Sequence, residues 1–238
     1  MGNIIAGVNP ARTVELAFST AASLVRGYAG TVASPAGDRP RQLLELYEFE
    51  ACPYCRKARE ALSALRLDYL ARPCPKNGTR YRPRVKELGG RRMYPYLIDP
   101  NTGVSMYESD DIVAYLYRHY GSGTPPLAMK LPLVTDLSAS LASMVYPGGF
   151  AAKASKLPEK PLELIGTEAS PQTRMVRARL CALEIPYVMK CSEADSTRPL
   201  PQLKDPNLSN PDFVAVGVDA ALRHLESQYA FDATARAP

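Results

Sequence analysis

The sequence has no hydrophobic run approaching the roughly 20 residues that a membrane-spanning helix requires, and residues 1–10 lack the apolar core of a secretory signal peptide. Its five cysteines are odd in number and irregularly spaced, which argues against the disulfide framework of a small secreted protein. A reducing compartment is therefore expected. No second CxxC and no paired histidines accompany the CxxC at residues 52–55, so zinc would lack half of its ligands and no metal is predicted.

Charge and composition exclude other classes of function. The formal net charge is +5, but the basic residues are scattered and no nucleic-acid-binding motif is present. A chain of 238 residues with 46% hydrophobic content can bury one or two substantial cores. We therefore predict a protein of one or two small domains with no membrane span and no nucleic-acid partner.

The most informative stretch covers residues 44–72. Alternating apolar residues in Leu44–Phe49 predict a strand, and a tight turn containing Cys52 and Cys55 follows. Apolar residues then recur every three or four positions as far as Leu65, which predicts a helix before the next strand. The predicted order is strand, CxxC, helix, strand.

Cys52 occupies the position at which this order favours thiol chemistry. Unpaired backbone N–H groups and the positive end of the helix dipole stabilise a thiolate at the first turn of a helix. Pro53 fits the first helical position, where no N–H is needed, and Cys55 lies one turn further on, within reach of a disulfide to Cys52. Glu48 and Glu50 are expected to oppose the positive charge that follows the turn.

CPYC between a strand and a helix resembles the glutaredoxin branch of the thioredoxin superfamily. Further on, Tyr94–Pro95 and Glu108–Ser109 resemble the glutathione-binding N-terminal domain of glutathione transferases. The resemblance implies that Cys52 attacks a mixed disulfide and that Cys55 or free glutathione resolves it. It also implies that Tyr94–Pro95 binds glutathione through the backbone, while Glu108–Ser109 holds its γ-glutamyl end at a helix N-terminus. The alternative is that Pro95 is an ordinary strand-entry proline and Ser109 only a helix cap.

One position departs from the glutaredoxin pattern. Phe49 stands three residues before Cys52, where that family usually has a lysine, and Glu48 and Glu50 flank it. These changes are expected to weaken attraction for the glycine carboxylate of glutathione. A loop arginine is the expected replacement, chosen from Arg80, Arg82, Arg91 and Arg92.

The residues after the second strand complete one domain. A short helix is predicted around Arg84–Leu88, a hairpin from Tyr96–Ile98 and Gly103–Met106, and a helix over Glu108–Tyr120. Together with the CxxC unit, these elements predict a thioredoxin-like domain over residues 42–121.

An internal repeat extends the prediction to a second domain. With a shift of 118, residues 44–72 align without a gap on residues 162–190. The identities include Leu44/Leu162, Glu50/Glu168, Pro53/Pro171, Arg56/Arg174, Arg59/Arg177 and Tyr69/Tyr187. A second alignment places Pro95-Tyr-Leu-Ile-Asp-Pro-Asn on Pro201-Gln-Leu-Lys-Asp-Pro-Asn with a shift of 106, so the second copy is shorter in the connection between the two aligned parts.

The second copy lacks the reactive sulfurs. Ser170 and Thr173 stand where the first copy has its two cysteines. A serine cannot form and release a disulfide, so Ser170 is expected to cap its helix. The alternative, known from some glutathione transferases, is a serine that activates bound glutathione by a hydrogen bond, but this copy has no counterpart of Glu108–Ser109.

These observations predict an α/β fold of two tandem thioredoxin-like domains, the second degenerate and without CxxC, plus an N-terminal helical extension. The predicted boundaries are 1–41 for the extension, 42–121 and 161–231 for the domains, 122–160 for a linker with one helix, and 232–238 for a tail. The extension is rich in Ala, Ser and Thr and poor in acids. It is predicted to be a transit-peptide remnant or a docking helix, which favours an organelle such as the chloroplast over the cytosol.

Two functions compete. The first is a glutathione-dependent thiol–disulfide oxidoreductase that uses the N-terminal domain, with glutathione as co-substrate and protein or small-molecule disulfides as partners. This resembles the tandem glutaredoxin and transferase N-domain proteins of plants and algae. The second is a non-catalytic accessory or assembly subunit of a large organellar complex, photosynthetic or respiratory, in which both domains are interaction modules. A glutathione-bridged iron–sulfur cluster is disfavoured because Pro53 stiffens the turn.

Overall fold

The structure is a computed structural model that describes residues 10–25, 37–126, 148–191, 199–210 and 212–231. Eight strands form one mixed sheet, and helices pack on it. In chain order the elements are α1 (Pro10–Val25), β1 (Leu44–Glu48), α2 (Pro53–Ala64), β2 (Tyr69–Pro73), α3 (Tyr81–Gly89), β3 (Tyr96–Asp99), β4 (Val104–Met106), α4 (Ser109–Tyr120), β5 (Leu162–Ile165), α5 (Pro171–Ala182), β6 (Tyr187–Lys190), β7 (Gln202–Lys204), β8 (Val214–Val216) and α6 (Val218–Tyr229).

Residues 42–121, called the first half from here on, contain a βαβ unit followed by a hairpin and a helix. β1 and β2 are parallel and joined through α2, whereas β3 pairs antiparallel with β1 and β4 pairs antiparallel with β3. The helices and strands predicted from the sequence for this part are confirmed, including the short α3. The mixture of parallel and antiparallel pairs confirms the α/β class.

Residues 161–231, called the second half, repeat this order of elements. β5 and β6 are parallel, β7 pairs antiparallel with β5, and β8 pairs antiparallel with β7. Residues 192–198, in the connection that the sequence predicts to be shortened, lie outside the described part of the chain. The helix predicted for the linker also lies outside the described residues, in the range 127–147.

The two halves share one sheet. β2 pairs antiparallel with β6, with Tyr69 opposite Met189 and Ala71 opposite Tyr187. The sheet order is therefore β4-β3-β1-β2-β6-β5-β7-β8, with the join at the centre. One apolar cluster runs through both halves, from Leu44 and Leu62 in the first to Leu164 and Leu203 in the second. Because the hydrophobic surface is continuous, each half covers part of the other.

Helix α2 is enclosed to an unusual degree. Every residue from Cys55 to Ala64 is buried, including its charged members. On the other side of the join, α5 is covered by α1 and α6. The Ser19 and Ser23 hydroxyls of α1 donate to the carbonyl oxygens of Pro171 and Ala169. α1 therefore packs on the second half through these hydroxyls and through an apolar contact of Ala22 with Met175 and Ala178.

No helix in the described ranges combines the length and the apolar character that crossing a membrane demands.

Candidate active site

The CxxC turn has the geometry predicted for it. Cys52 is the N-cap of α2 with extended backbone angles (φ −79°, ψ 121°), and Pro53 is the first helical residue. The backbone N–H of Cys55 donates to Cys52 Sγ across 3.3 Å. The Cys52 side chain thus takes the place that Ser or Asp takes at an ordinary helix N-terminus. Cys52 is 4% exposed, and Cys55 is fully buried.

The environment makes the two thiols unequal. The pKa of Cys52 is lowered, first by the hydrogen bond from the Cys55 thiol, then by backbone N–H groups and the charge of Arg59, against the opposing effect of burial. The pKa of Cys55 is raised well above its usual value, first by burial and then by the bond to Cys52 and the charges of Cys52 and Glu48. Of the two thiols, Cys52 is thus the one that loses its proton more readily, which is the arrangement of a nucleophile followed by a resolving thiol.

An aromatic and cationic group stands beside the turn. The Tyr94–Pro95 peptide bond is cis. The Tyr94 ring meets the Phe49 ring edge-on with centroids 6.0 Å apart, and the Arg82 guanidinium lies 4.9 Å from the centroid of Tyr94 and 5.7 Å from that of Phe49. Phe49, at the position where glutaredoxins usually have a lysine, thus contacts Tyr94, and Arg82 places a positive charge beside both rings.

The other loop arginines are used differently. Arg80 Nη1 donates to Leu183 O at 2.8 Å and to Ser155 Oγ at 2.9 Å. The Arg80 guanidinium is therefore bound to the second half and to the segment before it, and is not directed at the CxxC turn. Arg91 stacks 5.0 Å from the centroid of the Tyr107 ring. Among the four candidates, Arg82 is the one shown next to Phe49 and Tyr94.

Glu108 and Ser109 lie at the start of α4. The N-cap is Glu108, with φ +63° and no capping bond from its side chain, so the cap predicted at Ser109 is displaced by one residue. Glu108 is exposed and Ser109 is buried. Lys57 of α2 forms an ion pair with Asp110, which ties this end of α4 to the CxxC helix. The structure therefore brings Cys52 and Cys55 together directly and joins the start of α4 to their helix.

Beneath the turn lies a buried cluster of charges that sequence reasoning missed. Arg59 Nε donates to Glu168 Oε2 at 3.0 Å, and Arg177 Nε donates to Glu50 Oε2 at 2.9 Å. Arg59 also forms an ion pair with Glu48. All five side chains are at most 3% exposed. Glu48 and Glu50, for which the sequence predicts only opposition to nearby positive charge and to a glutathione carboxylate, are both buried and paired with arginines.

The two acids of the first half titrate in opposite directions. Burial raises the pKa of Glu48 to about 7 even though Arg59 opposes it. Glu50 is held at a pKa of about 2, because Arg177 and Arg59 more than offset the effect of burial. The sequence carried a signal for this cluster: its glutamates at 50 and 168 and its arginines at 59 and 177 are identities of the repeat.

The second half keeps the geometry of the turn without the sulfurs. Ser170 is the N-cap of α5, and its Oγ accepts the backbone N–H of Thr173 at 3.2 Å. The Leu200–Pro201 bond is cis, as at Tyr94–Pro95. Gly217 is the N-cap of α6, where the first half has Glu108.

No group of three or more His, Cys, Asp or Glu side chains positioned to bind a metal occurs within the described ranges.

Residues 46–125 match the sequence model of the glutathione S-transferase N-terminal domain family. This region includes Cys52, Cys55, Tyr94, Pro95, Glu108 and Ser109. The first half is thus a thioredoxin-like domain of the glutathione S-transferase N-terminal type. Comparisons with curated proteins and with solved structures gave no match.

Proposed function

We propose that this protein is a glutathione-dependent thiol–disulfide oxidoreductase that acts through Cys52. The observation that carries the proposal is the unequal pair of thiols at the start of α2. Cys52 accepts a backbone N–H at the helix N-terminus and has a lowered pKa, whereas Cys55 behind it is fully buried and has a raised one. A structural pair of cysteines does not need this asymmetry, and a nucleophile with a resolving thiol does.

The proposed reaction is a pair of thiol–disulfide exchanges. The Cys52 thiolate attacks the glutathione sulfur of a mixed disulfide, forms a Cys52–glutathione disulfide and releases the substrate as a thiolate, which takes a proton from water. A second glutathione thiolate then attacks the glutathione sulfur of this disulfide, which forms glutathione disulfide and releases the Cys52 thiolate. Alternatively, Cys55 attacks Cys52 Sγ and releases the bound glutathione. Glutathione supplies the two electrons in the first case; in the second, the two cysteines are oxidised to a disulfide.

Glutathione is the proposed co-substrate because domains of this family generally bind it. We propose that the backbone at Tyr94–Pro95 and the start of α4 at Glu108–Ser109 hold the tripeptide. Backbone N–H groups at a helix N-terminus suit the carboxylate of its γ-glutamyl end. Arg82, next to Phe49 and Tyr94, is the proposed cation for its other carboxylate.

The second half is proposed to be a degenerate copy of the same domain. The repeated order of elements and the matching caps at Cys52 and Ser170 support a duplication. With Ser170 and Thr173 in place of the cysteines, this half is proposed to support the first half without chemistry of its own.

The test is reduction of a small glutathione mixed disulfide, coupled to glutathione and glutathione reductase. We expect turnover by the wild type, background rates for Cys52→Ser, and retained activity for Cys55→Ser because free glutathione resolves the intermediate. Ser170→Ala is the matched control in the second half and is expected to leave the rate unchanged. Equal background rates in wild type and Cys52→Ser would refute the proposal.

A second candidate function is that of an accessory or assembly subunit of an organellar complex. The 4% exposure of Cys52 favours it, since a folded protein disulfide needs a more accessible sulfur. Native gel electrophoresis of extracts from the source cells separates the two. Migration with a large assembly, unchanged by Cys52→Ser, would support the accessory role. Migration as a free chain with Cys52-dependent activity would support the enzyme.

A further inference from the structure

Glu48 is a buried acid with an incomplete set of partners. It is the last residue of β1 and is 1% exposed. Its Oε2 accepts a hydrogen bond from Arg59 Nη1, but none of the described residues donates a hydrogen bond to Oε1. A carboxylate oxygen buried without a donor is costly, and protonation reduces that cost.

The shared arginines explain why the proton favours Glu48 over its neighbours. Three carboxylates, those of Glu48, Glu50 and Glu168, share the guanidinium groups of Arg59 and Arg177. Glu50 and Glu168 are each bonded by both arginines, whereas Glu48 has Arg59 alone. Glu48 is therefore the acid that the cluster leaves least neutralised, which agrees with its pKa of about 7.

The repeat shows where this side chain points. The counterpart of Glu48 in the second half is Gly166, and the counterpart of Cys55 is Thr173. A Cβ added at Gly166 would lie 2.5 Å from Thr173 Oγ1 and 2.6 Å from its Cγ2. The side-chain direction at this strand position therefore leads to the third residue of the helix. The chain carries an acid there only in the half that carries the thiols.

Two further observations put Glu48 on the side of α2 that carries Cys55. Cys55 and Arg59 are four residues apart on α2, hence on one face of the helix, and Arg59 binds Glu48. The charge of Glu48 is also among the causes that raise the pKa of Cys55. Because Cys55 is fully buried, its proton has no direct access to solvent.

We propose that Glu48 takes the proton of Cys55 when Cys55 attacks the Cys52–glutathione disulfide. This inference rests on the proposed function and adds the base for its second step. The Cys55 S–H bond breaks and its proton passes to the Glu48 carboxylate. The Cys55 sulfur bonds to Cys52 Sγ, and the bond between Cys52 and glutathione breaks. Glutathione leaves as the thiolate. The two cysteines are oxidised to a disulfide, glutathione is reduced, and Glu48 ends protonated.

The step requires Glu48 to be ionised, so its rate rises with pH through the titration of that group. The groups that set this titration come from every element packed around Glu48. They are Cys55 and Arg59 on α2, Glu50 before α2, Cys74 after β2, Glu168 before α5, Arg177 and Cys181 on α5, and Tyr187 on β6. Removing Glu168 leaves more of the Arg59 charge for Glu48, and the profile then moves to lower pH.

The experiment is a single turnover without free glutathione. The full-length protein is loaded with glutathione on Cys52, and release of glutathione is followed against pH. We expect Glu48→Gln to slow release by roughly 100-fold and to remove the rise centred near pH 7. Glu50→Gln is the matched control, an equally buried acid two residues after Glu48. It should keep the rise, moved to lower pH because Glu50 also raises the pKa of Glu48, and should change the rate above the rise by less than about threefold. Glu168→Gln should shift the rise to lower pH.

The outcomes are distinguishable from failure of the proposed function. If Cys52 cannot be loaded, that function fails, and Glu48 is tested by alkylation of Cys55 in the Cys52→Ser background. There Glu48→Gln should move the alkylation profile to lower pH, because a nearby negative charge is gone, more than Glu50→Gln does. Release that is as fast and as pH-dependent in Glu48→Gln as in wild type would overturn the proposal. So would equal losses in both Gln variants, or alkylation profiles that coincide. If Glu48→Gln does not fold, the shift in Glu168→Gln decides.

Discussion

The helix entries of the two halves differ in chemistry but not in geometry. The Cys55 N–H donates to Cys52 Sγ over 3.3 Å, and the Thr173 N–H donates to Ser170 Oγ over 3.2 Å. In both, a proline occupies the first helical turn. Capping of the helix is therefore a structural task that oxygen and sulfur both perform. What separates the halves is the ability of sulfur to exchange disulfides, together with the acid beneath it.

The comparison also explains why that acid is tolerated. In the second half, Gly166 leaves the space below the helix to Thr173. In the first half, Glu48 fills the equivalent position and is held by Arg59, which Glu168 of the second half binds in turn. The second half thus contributes a charge to the environment of the CxxC turn although it lacks thiols.

The largest expected effect comes from removing either shared arginine. Arg59→Met and Arg177→Met each leave buried carboxylates without their partner, and each should lower the free energy of unfolding by about 3–5 kcal/mol. Only Arg59→Met should also raise the pKa of Cys52, because the charge of Arg59 helps to lower it. Urea titrations measure the first effect, and the pH dependence of Cys52 alkylation measures the second. If both variants raise the pKa of Cys52 equally, the charge of Arg59 has no special effect on the Cys52 thiol and the prediction is wrong.

A second pair of matched arginines is expected to behave unequally. Arg174 Nη1 donates to Ser19 O at 2.6 Å and to Ser23 Oγ at 2.8 Å. Its counterpart Arg56 is fully buried, and no described residue accepts a hydrogen bond from its guanidinium. Arg174→Met should therefore cost about 2 kcal/mol, whereas Arg56→Met should cost less than about 1 kcal/mol or stabilise the fold. Equal costs in urea titrations would contradict this assignment.

The sequence predicted the backbone of the first half well, because local signals determine it. Apolar periodicity located β1 and α2, and Pro53 marked the first turn of α2. The burial of the charged residues of α2 was not predicted, since periodicity assigns charge to the solvent-facing side of a helix. Arg59 instead forms an ion pair with Glu168 of the second half. The pairing of β2 with β6 joins the two halves, and no local pattern encodes pairing between distant edge strands.

The site shows the same limit. The positions of Cys52 and Cys55 relative to the helix followed from spacing alone. The role of Glu48 did not, because its raised pKa depends on burial and on Arg59 being shared across the halves. Arg80 was a candidate for glutathione and instead binds the backbone at Leu183. The identities of the repeat that align Arg59 with Arg177 and Glu50 with Glu168 were the sequence signal for the buried charge cluster.

The two acids of the first half should give opposite pH dependences of stability. Glu48 has a folded pKa raised from 4.5 to about 7, so its contribution is complete below pH 4.5 and is lost as the pH rises through 7. Glu50 has a lowered pKa, so its contribution is present above pH 4.5 and is lost as the pH falls towards 2. Relative to wild type, Glu48→Gln should thus gain stability between pH 4.5 and 7. Unfolding free energies measured at several pH values check this, and parallel curves would refute it.

The smallest expected effect tests the caps themselves. Ser170→Ala removes the acceptor for the Thr173 N–H and should cost about 1 kcal/mol without changing the chemistry of the first half. Cys52→Ser keeps an acceptor at the matching position, so its stability should stay within about 0.5 kcal/mol of wild type while its exchange activity is lost. Thermal unfolding and the glutathione assay on the same preparations give both quantities. A large loss of stability in Cys52→Ser would mean that the sulfur has a structural role that Ser170 does not reproduce, and the two helix entries would then differ in more than their chemistry.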